Sequence, residues 1–249
     1  MDMWKYYDIT HRHHVICNPT NSEKLDRLVE LLRLPAGASV VDIASGKGEF
    51  LIRLAETYGV SGVGIDKSPF FAQEAEERLA ALTPSPDIVF HEMDGAEFVP
   101  EAPRSFDVAS CIGASWIYGG HGGTLDAMKG LVAPGGWVVV GEAFWTGEPA
   151  AEYLELSGMP REMFASHVEN ATAGEERGLE LVHTLVSTGD DWDRYEGLQW
   201  YAASEFARAN PEDPDLDDLA ERIAKEKMMY LRWGRDSLGW AMYVFRQAA

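Results

Sequence analysis

The strongest constraint on this chain is a repeated alternation between apolar runs of strand length and stretches whose apolar residues recur at helical spacing. Ser39-Val40-Val41-Asp42-Ile43, Val63-Gly64-Ile65-Asp66, Ile88 to Asp94, Phe106 to Ile112 and Trp137-Val138-Val139-Val140 are the runs. Each is too short for a buried helix and is bounded by turn residues. Between the first two, Leu51, Leu54, Ala55 and Tyr58 share a helix face, and Gly59 supplies a stop. Ser68-Pro69 offers an N-cap with proline at the first helical position, opening a helix to about Leu82, and another helix is expected from about Thr124 to Leu131. Strands apolar on both faces cannot face water, so these units predict an α/β protein with a parallel sheet covered on both sides.

Beyond Glu142 the rhythm changes. Helical pieces run to about Gly178, a sixth strand spans Leu179 to Ser187, and helices follow from Trp192 to Asn210 and from Asp215 to Arg235. Pro211-Glu212-Asp213-Pro214 separates these helices, and Trp240 to Phe245 closes the chain as a β run. Ahead of the first strand, residues 1–21 are aromatic and polar without clear periodicity and read as a loop or loose helix. Thr20-x-x-Glu23 has the form of a capping box for a helix carrying Leu25, Leu28, Val29 and Leu32. The acidic residues from Glu212 to Asp218 precede Arg222, Lys225 and Lys227, the order that complements a helix dipole, and predict a solvated helix start.

A chain of 249 residues needs no disulfide or metal to support a core. Its 21 Lys and Arg against 41 Asp and Glu leave a net charge of -20. That balance predicts no nucleic-acid and no membrane partner, since both attract clustered cations. No stretch approaches 18 apolar residues, the opening residues lack the form of a signal peptide, and Cys17 and Cys111 lie far apart. A reduced, cytoplasmic address is expected.

Asp42-x-x-x-Gly46-x-Gly48 sits where a strand turns into a helix, removing side chains where backbone must approach a ligand. Leu51 occupies the position of the third glycine of a dinucleotide fingerprint, which weighs against a nicotinamide-dependent oxidoreductase without excluding it. Asp66, at the end of the next strand, is placed to accept two ribose hydroxyls. A ribose-bearing cofactor follows.

Val40-Val41-Asp42-Ile43-Ala44-Ser45-Gly46-Lys47-Gly48-Glu49-Phe50, Val63-Gly64-Ile65-Asp66-Lys67-Ser68, Asp94-Gly95-Ala96, Phe106-Asp107-Val108 through Ile112-Gly113-Ala114 and Leu131-Val132-Ala133-Pro134-Gly135-Gly136 occur in an order and spacing that resemble the class I S-adenosylmethionine-dependent methyltransferases. Gly113-Ala114-Ser115-Trp116-Ile117, Gly141-Glu142-Ala143-Phe144-Trp145 and Trp192-Asp193-Arg194-Tyr195 are similar to an uncharacterised bacterial branch of small-molecule enzymes. The family's usual Gly-Cys or Gly-Ser is replaced here by Ala44-Ser45.

The resemblance implies a doubly wound, mostly parallel seven-stranded sheet with an antiparallel last strand. It also implies a helical insertion over 188–236 between strands six and seven, in a single domain over 22–249 with an N-terminal arm or lid. By the same resemblance S-adenosylmethionine is the cofactor. Gly46 and Gly48 flank its methionyl part, Asp66 its ribose and Asp94 its adenine amino group, with Gly95 and Ala96 beside the ring. Asp42, Ala44, Ser45, Lys67, Cys111 and Gly113 complete the cofactor set. The implied reaction is methyl transfer to an N, O, S or C atom of a small molecule. Cofactor binding without transfer, or cyclisation or cleavage of the cofactor, stays open.

Strand five ends in Glu142, where a carboxylate can act as a base or as a structural partner. His11-x-His13-His14 lacks a fourth metal ligand, so no metal is expected, and His13 or His14 is a candidate base on a lid. Trp116, Tyr118, Trp192, Tyr195 and Trp200 are candidates for a substrate wall. Gly119-Gly120-His121-Gly122-Gly123 reads as a mobile pocket edge or a surface loop.

Overall fold

The computed structural model describes residues 1–82 and 86–248. Seven strands form one sheet: β1 (Ser39–Ile43), β2 (Ser61–Asp66), β3 (Ile88–Glu92), β4 (Phe106–Ile112), β5 (Val132–Trp145), β6 (Leu179–Val186) and β7 (Leu238–Gln247), in the order β3-β2-β1-β4-β5-β7-β6. The first five are parallel, and β7 runs antiparallel to both β5 and β6. The strand order reverses between β1 and β4, so their carboxyl ends border the crevice where open α/β sheets bind ligands.

Alternate residues of each strand enter two cores. On one face Val40, Val108, Val139, Met242 and Val244 pack with Leu25, Leu28 and Leu32 of α2 (Ser22–Leu32) and Leu51 and Leu54 of α3 (Glu49–Tyr58). On the other face Val41, Ile43, Ala109, Val138, Val140 and Phe245 pack with Leu125 and Met128 of α5 (His121–Leu131). Helices α4 (Pro69–Ala80), α6 (Ala151–Ser157) and α7 (His167–Glu175) complete the flanks of the sheet. Gly174 of α7 packs against the Phe245 ring. The insertion between β6 and β7 is α8 (Gly189–Ala209) and α9 (Leu216–Met229), followed by a wide π-helical turn at Tyr230–Gly234.

Several expectations need correction. The arm is a helix, α1 (Met3–His11), with Asp2 as N-cap accepting the Lys5 N–H. Its Tyr6 and Ile9 are buried against Ala203 of α8 and Leu219 of α9, a third cluster separate from the two sheet cores. The acidic stretch is not simply solvated: Lys5 Nζ lies 2.7 Å from both Asp213 and Asp215, tying α1 to the start of α9. The N-cap of α2 is Asn21, whose side chain accepts the Lys24 N–H, and the Thr20 hydroxyl is buried without a partner among the described residues. The glycine run around His121 is no loose loop, because residues 121–123 form the first turn of α5. A Cβ on Gly123 would lie 2.0 Å from Tyr118 O, so the glycine lets this turn pack directly on the preceding backbone.

Gly48 caps α3 at φ 73°, and a Cβ there would meet the Phe90 ring at 2.5 Å. Left-handed strain of roughly 1–2 kcal/mol adds to overpacking of roughly 1–3 kcal/mol. Gly48→Ala should therefore lower unfolding stability by about 2–5 kcal/mol in urea titration; an unchanged midpoint would mean that Phe90 yields freely.

Candidate active site

After β1 the chain makes a tight turn in which Ala44, Gly46 and Gly48 all take positive φ, at 55°, 54° and 73°. For an alanine this conformation costs roughly 1 kcal/mol, a strain glycine would not carry. The turn is held from β2. Ile65 O accepts the Ser45 N–H at 2.9 Å, and Asp66 Oδ2 accepts the Gly46 N–H at 2.8 Å. The other Asp66 oxygen accepts the Ser68 N–H at 2.8 Å. Burial pushes the Asp66 carboxyl up, while these backbone donors pull it down. Ser45 Oγ is buried beside the turn with no partner among the described residues.

Asp42 lies beneath the turn, fully enclosed, and accepts a 2.6 Å hydrogen bond from Ser110 Oγ. Burial, aided by the charge of Asp66 and opposed by Ser110, pushes its carboxyl up to about 7. At the end of β3, Asp94 is paired with Lys67 at 2.7 Å, accepts the Ala96 N–H at 3.0 Å and is held low mainly by Lys67. Gly95 packs on Ile43, and its carbonyl accepts the Tyr118 hydroxyl at 2.9 Å. A groove of about 410 Å³ opens beside this end, lined by Trp4, Lys67, Pro69, Met93 and Asp94 among others.

The segment between α1 and α2 roofs the crevice. Asn18 donates to Ile112 O at 2.9 Å, and its Oδ1 lies 1.9 Å from where a Cβ on Gly113 would be. The Cys17 sulfur lies 3.9 Å from the corresponding point above Gly46, and burial pushes this thiol up to about 12. Cys111 is buried in the core of β4, its thiol also pushed up by burial.

Behind the roof, His14 Nε2 lies 2.9 Å from the Tyr195 carbonyl, which can only accept. Nε2 therefore carries the ring proton and Nδ1 a free lone pair, with no partner among the described residues. Burial pushes His14 down to about 4, so it is neutral at pH 7. His11 joins it, 4.9 Å away between ring centres, with Nε2 3.1 Å from the Tyr195 hydroxyl. Lys47 is buried nearby and paired with Glu74 at 2.7 Å.

Residues 40–136 match the family model described as "Methyltransferase domain". The uncharacterized protein YjhP of Escherichia coli (strain K12) is 31% identical over 246 residues, 98% of either chain. A SAM-dependent methyltransferase from Geobacter sulfurreducens, solved with S-adenosyl-L-homocysteine, superposes with a TM-score of 0.90 at 30% identity, covering 97% of both chains. Its counterpart from Thiobacillus denitrificans, also solved with S-adenosyl-L-homocysteine, gives 0.89 at 34% identity over 98% of this chain and 99% of that one. The chain belongs to the class I S-adenosylmethionine-dependent methyltransferases.

Within this methyltransferase the cofactor candidates from β1 to β4 converge on one crevice, whereas the substrate candidates separate. Glu142 does not end β5, which runs on to Trp145 against β7; it lies buried within the strand, its carboxyl pushed up by burial against the pull of Ser115 and the Ala143 N–H. Tyr195 is enclosed beneath the roof, Trp192 packs on the adjoining core, and Tyr118 is half-buried at Gly95. Trp116 is 74% exposed and walls nothing. His13 does not reach the crevice either: it is paired at the surface with Glu205 at 2.5 Å. His11, Lys47 and His121 were absent from the candidates. Lys47 lies inside the glycine motif itself, so its position was visible, but a lysine there reads as solvated. Among the described residues no group of three His, Cys, Asp or Glu could hold a metal, and no helix is long and apolar enough to cross a membrane.

The raised Asp42 pKa sets a pH dependence. The native state keeps a proton that the unfolded chain sheds above its ordinary value of 3.8. This contribution to stability is therefore complete below about pH 4 and lost as pH rises through about 7. At roughly 1.4 kcal/mol per unit of pKa, Asp42→Asn should be more stable than the parent at pH 8 by a few kcal/mol. The two urea midpoints should draw together toward pH 4. Parallel curves would mean that Asp42 is ionised throughout.

Proposed function

We propose that this methyltransferase modifies a small molecule, held between the strand ends and the roof formed by α1, α8 and the segment joining α1 to α2. The observation that carries this reading is the roof itself. Asn18 and Cys17 lie directly over Gly113 and Gly46, so the chain itself covers the ends of β1 and β4 where a large acceptor would have to approach. The net charge of -20 points the same way, since it repels polyanions and anionic lipid.

The crevice suits the cofactor on grounds of its own. The glycine turn lacks a side chain at Gly46, Ser45 Oγ is a buried polar atom without a partner among the described residues, and the groove at Asp94, about 410 Å³, has room for a base. Gly46 and Ser45 would face the methionyl part, with Gly48 and the enclosed Asp42 shaping the turn behind them, Asp66 the ribose, and Asp94, Gly95 and Ala96 the adenine. Ala44, Lys67 and Gly113 would border it, whereas Cys111, enclosed in the core of β4, would not. When bound, S-adenosylmethionine supplies an electrophilic methyl group on sulfur. This chain's residues then align the acceptor, exclude water and provide a place for its proton. His14 Nδ1, neutral and without a partner among the described residues, suits the first task as a hydrogen-bond acceptor for the substrate; His13, paired at the surface, does not.

Methyl-labelled cofactor, incubated with the protein and a metabolite extract, should yield label in the small-molecule fraction by mass spectrometry. Label confined to RNA, DNA or protein would refute the reading. With the acceptor so found, His14→Ala should lower kcat/KM by about tenfold, the loss of one hydrogen bond to the acceptor, while His13→Ala stays within about twofold of the parent. Equal losses would return His13 to the site. Asp66→Ala should weaken cofactor binding in calorimetry by about 1.5–3 kcal/mol. It should also lower stability, because the same carboxylate holds Gly46 and Ser68. Unchanged affinity would remove Asp66 from the ribose site.

A further inference from the structure

Beyond the last pairing of β4 with β5, two hydrogen-bond acceptors lie 4.0 Å apart, each without a hydrogen-bond partner among the described residues. His121 opens α5, and its Nε2 lies 2.9 Å from the Asn170 carbonyl. A carbonyl only accepts, so Nε2 carries the proton and Nδ1 presents a lone pair. That lone pair looks toward Glu142 Oε2, 4.0 Å away. Glu142 Oε1 is already occupied, accepting the Ala143 N–H at 3.0 Å. Neither Nδ1 nor Oε2 has a hydrogen-bond partner among the described residues, and both side chains are only 9% exposed. Buried polar atoms are rarely left this way, and a facing pair of acceptors calls for a shared donor.

The arrangement is built rather than incidental. Asn170 accepts from His121 through its carbonyl and donates from Nδ2 to Ala143 O at 3.1 Å, so one residue of α7 positions both walls. The Tyr243 ring lies 5.3 Å from that of His121, and its hydroxyl is 2.9 Å from His167 Nδ1. Ser115 faces Glu142 from the turn after β4, and Gly113 N–H donates to Gly141 O at 3.0 Å, joining the pair to the turn that borders the cofactor crevice. Arg177 is the cation that bears on His121, and it is engaged with Gly122 O and Asp126.

The Ser115 hydroxyl bears on the Glu142 carboxylate, yet Oε2 and Nδ1 stay without a partner among the described residues. Three states would satisfy the two acceptors together: a proton on Glu142, a doubly protonated His121 in an ion pair, or a donor from outside. Burial pushes Glu142 up and His121 down to about 4, both away from the ion pair. A donor must then come from a proton or a ligand. We propose that Glu142 Oε2 and His121 Nδ1 together bind the N–H or O–H of the methyl acceptor, with Glu142 taking the proton that the acceptor sheds. This rests on the small-molecule reading above and adds the nucleophile's class: an amine or a hydroxyl, not a thioether or a carbon centre.

The step balances. The acceptor's lone pair forms the bond to the methyl carbon, the carbon–sulfur bond breaks with its electrons going to sulfur, and the acceptor's proton passes to Oε2. Glu142 is thereby a catalytic residue and His121 a positioning residue. A carboxylate raised by burial is a stronger base than an exposed one, and the incoming donor itself favours its ionised form.

Glu142→Gln separates the possibilities because its amide places an N–H opposite Nδ1 without changing shape. At pH 8 its Tm should rise by about 2–4 °C, one satisfied pair in a chain of this size. S-adenosylhomocysteine affinity by calorimetry should stay within about twofold, while methyl transfer to the extract should fall at least about 100-fold. His121→Phe keeps a ring against Tyr243 but removes the acceptor. It should raise the KM of the labelled acceptor about tenfold with kcat within about threefold, the pattern of lost binding rather than lost chemistry. The label should reside on nitrogen or oxygen.

A lower Tm in Glu142→Gln would show an ion pair and overturn the proposal, as would unchanged transfer or label on sulfur or carbon. If the parent methylates no small molecule at all, the small-molecule reading fails by itself. The Tm comparison still decides whether this pair lacks a donor, and a drop there defeats the proposal independently.

Discussion

The turn after β1 keeps its shape because one buried carboxylate accepts from both sides of it. Asp66 takes the Gly46 N–H with one oxygen and the Ser68 N–H with the other, so the end of β2 fixes both the glycine turn and the start of α4. Everything that borders the crevice is arranged around that link. The strained Ala44 is tolerated because its neighbours are pinned. Asp42 is driven toward neutrality partly because Asp66 is so close. The structural role of Asp66 and the ribose contact proposed for it would thus share the same two oxygens.

How much of this could be read from the residues depended on where each signal lay. Phe106–Ile112 was legible to the residue because a mostly apolar run of strand length stops against Gly113, and the helix from Pro69 was legible because Ser68-Pro69 is a local start signal. The glycine turn with Asp66 and Asp94 was legible as a set for the same reason: each sits at the end of a short strand. The first helix was not. Its buried stripe is Tyr6, Ile9, Thr10 and His11, a mixture in which polar residues are buried because α8 and α9 supply their surroundings from some 200 positions away. His121 was hidden by its glycines. Four glycines around one histidine suggest a loop, and only the packing of Gly123 on Tyr118 and of Gly122 on Arg177 turns the stretch into a helix. Trp116 misled in the opposite sense: its aromatic neighbours suggested a wall, but the short turn after β4 throws its side chain into solvent.

The acidity of the chain is also less uniform than a net charge implies. Part of it is spent inside the roof. Glu196 of α8 is buried beside Glu226 of α9, and burial pushes it up to about 7. The Tyr6 hydroxyl donates to Glu226, and Arg222 lies over the Tyr6 ring. Three helices that have no sheet to lean on are thus joined by paired polar groups as well as by Ile9 and Leu219, a joint with more charge and less apolar area than either sheet core.

The way the roof is rooted has a consequence for how such an enzyme can diversify. The helical insertion leaves the sheet after Val186 and returns at Leu238, on neighbouring strands, with Ser187 N–H bonded to Trp240 O at 2.9 Å. Its two ends are pinned side by side before any of its helices form. A segment anchored in this manner adds little closure entropy as it lengthens. Its interior can therefore be rewritten, shortened or exchanged for another while β1, β2 and β4 go on presenting the same crevice. The strands conserve the donor's seat, and the insertion is the replaceable cassette through which one scaffold could be refitted to a different acceptor.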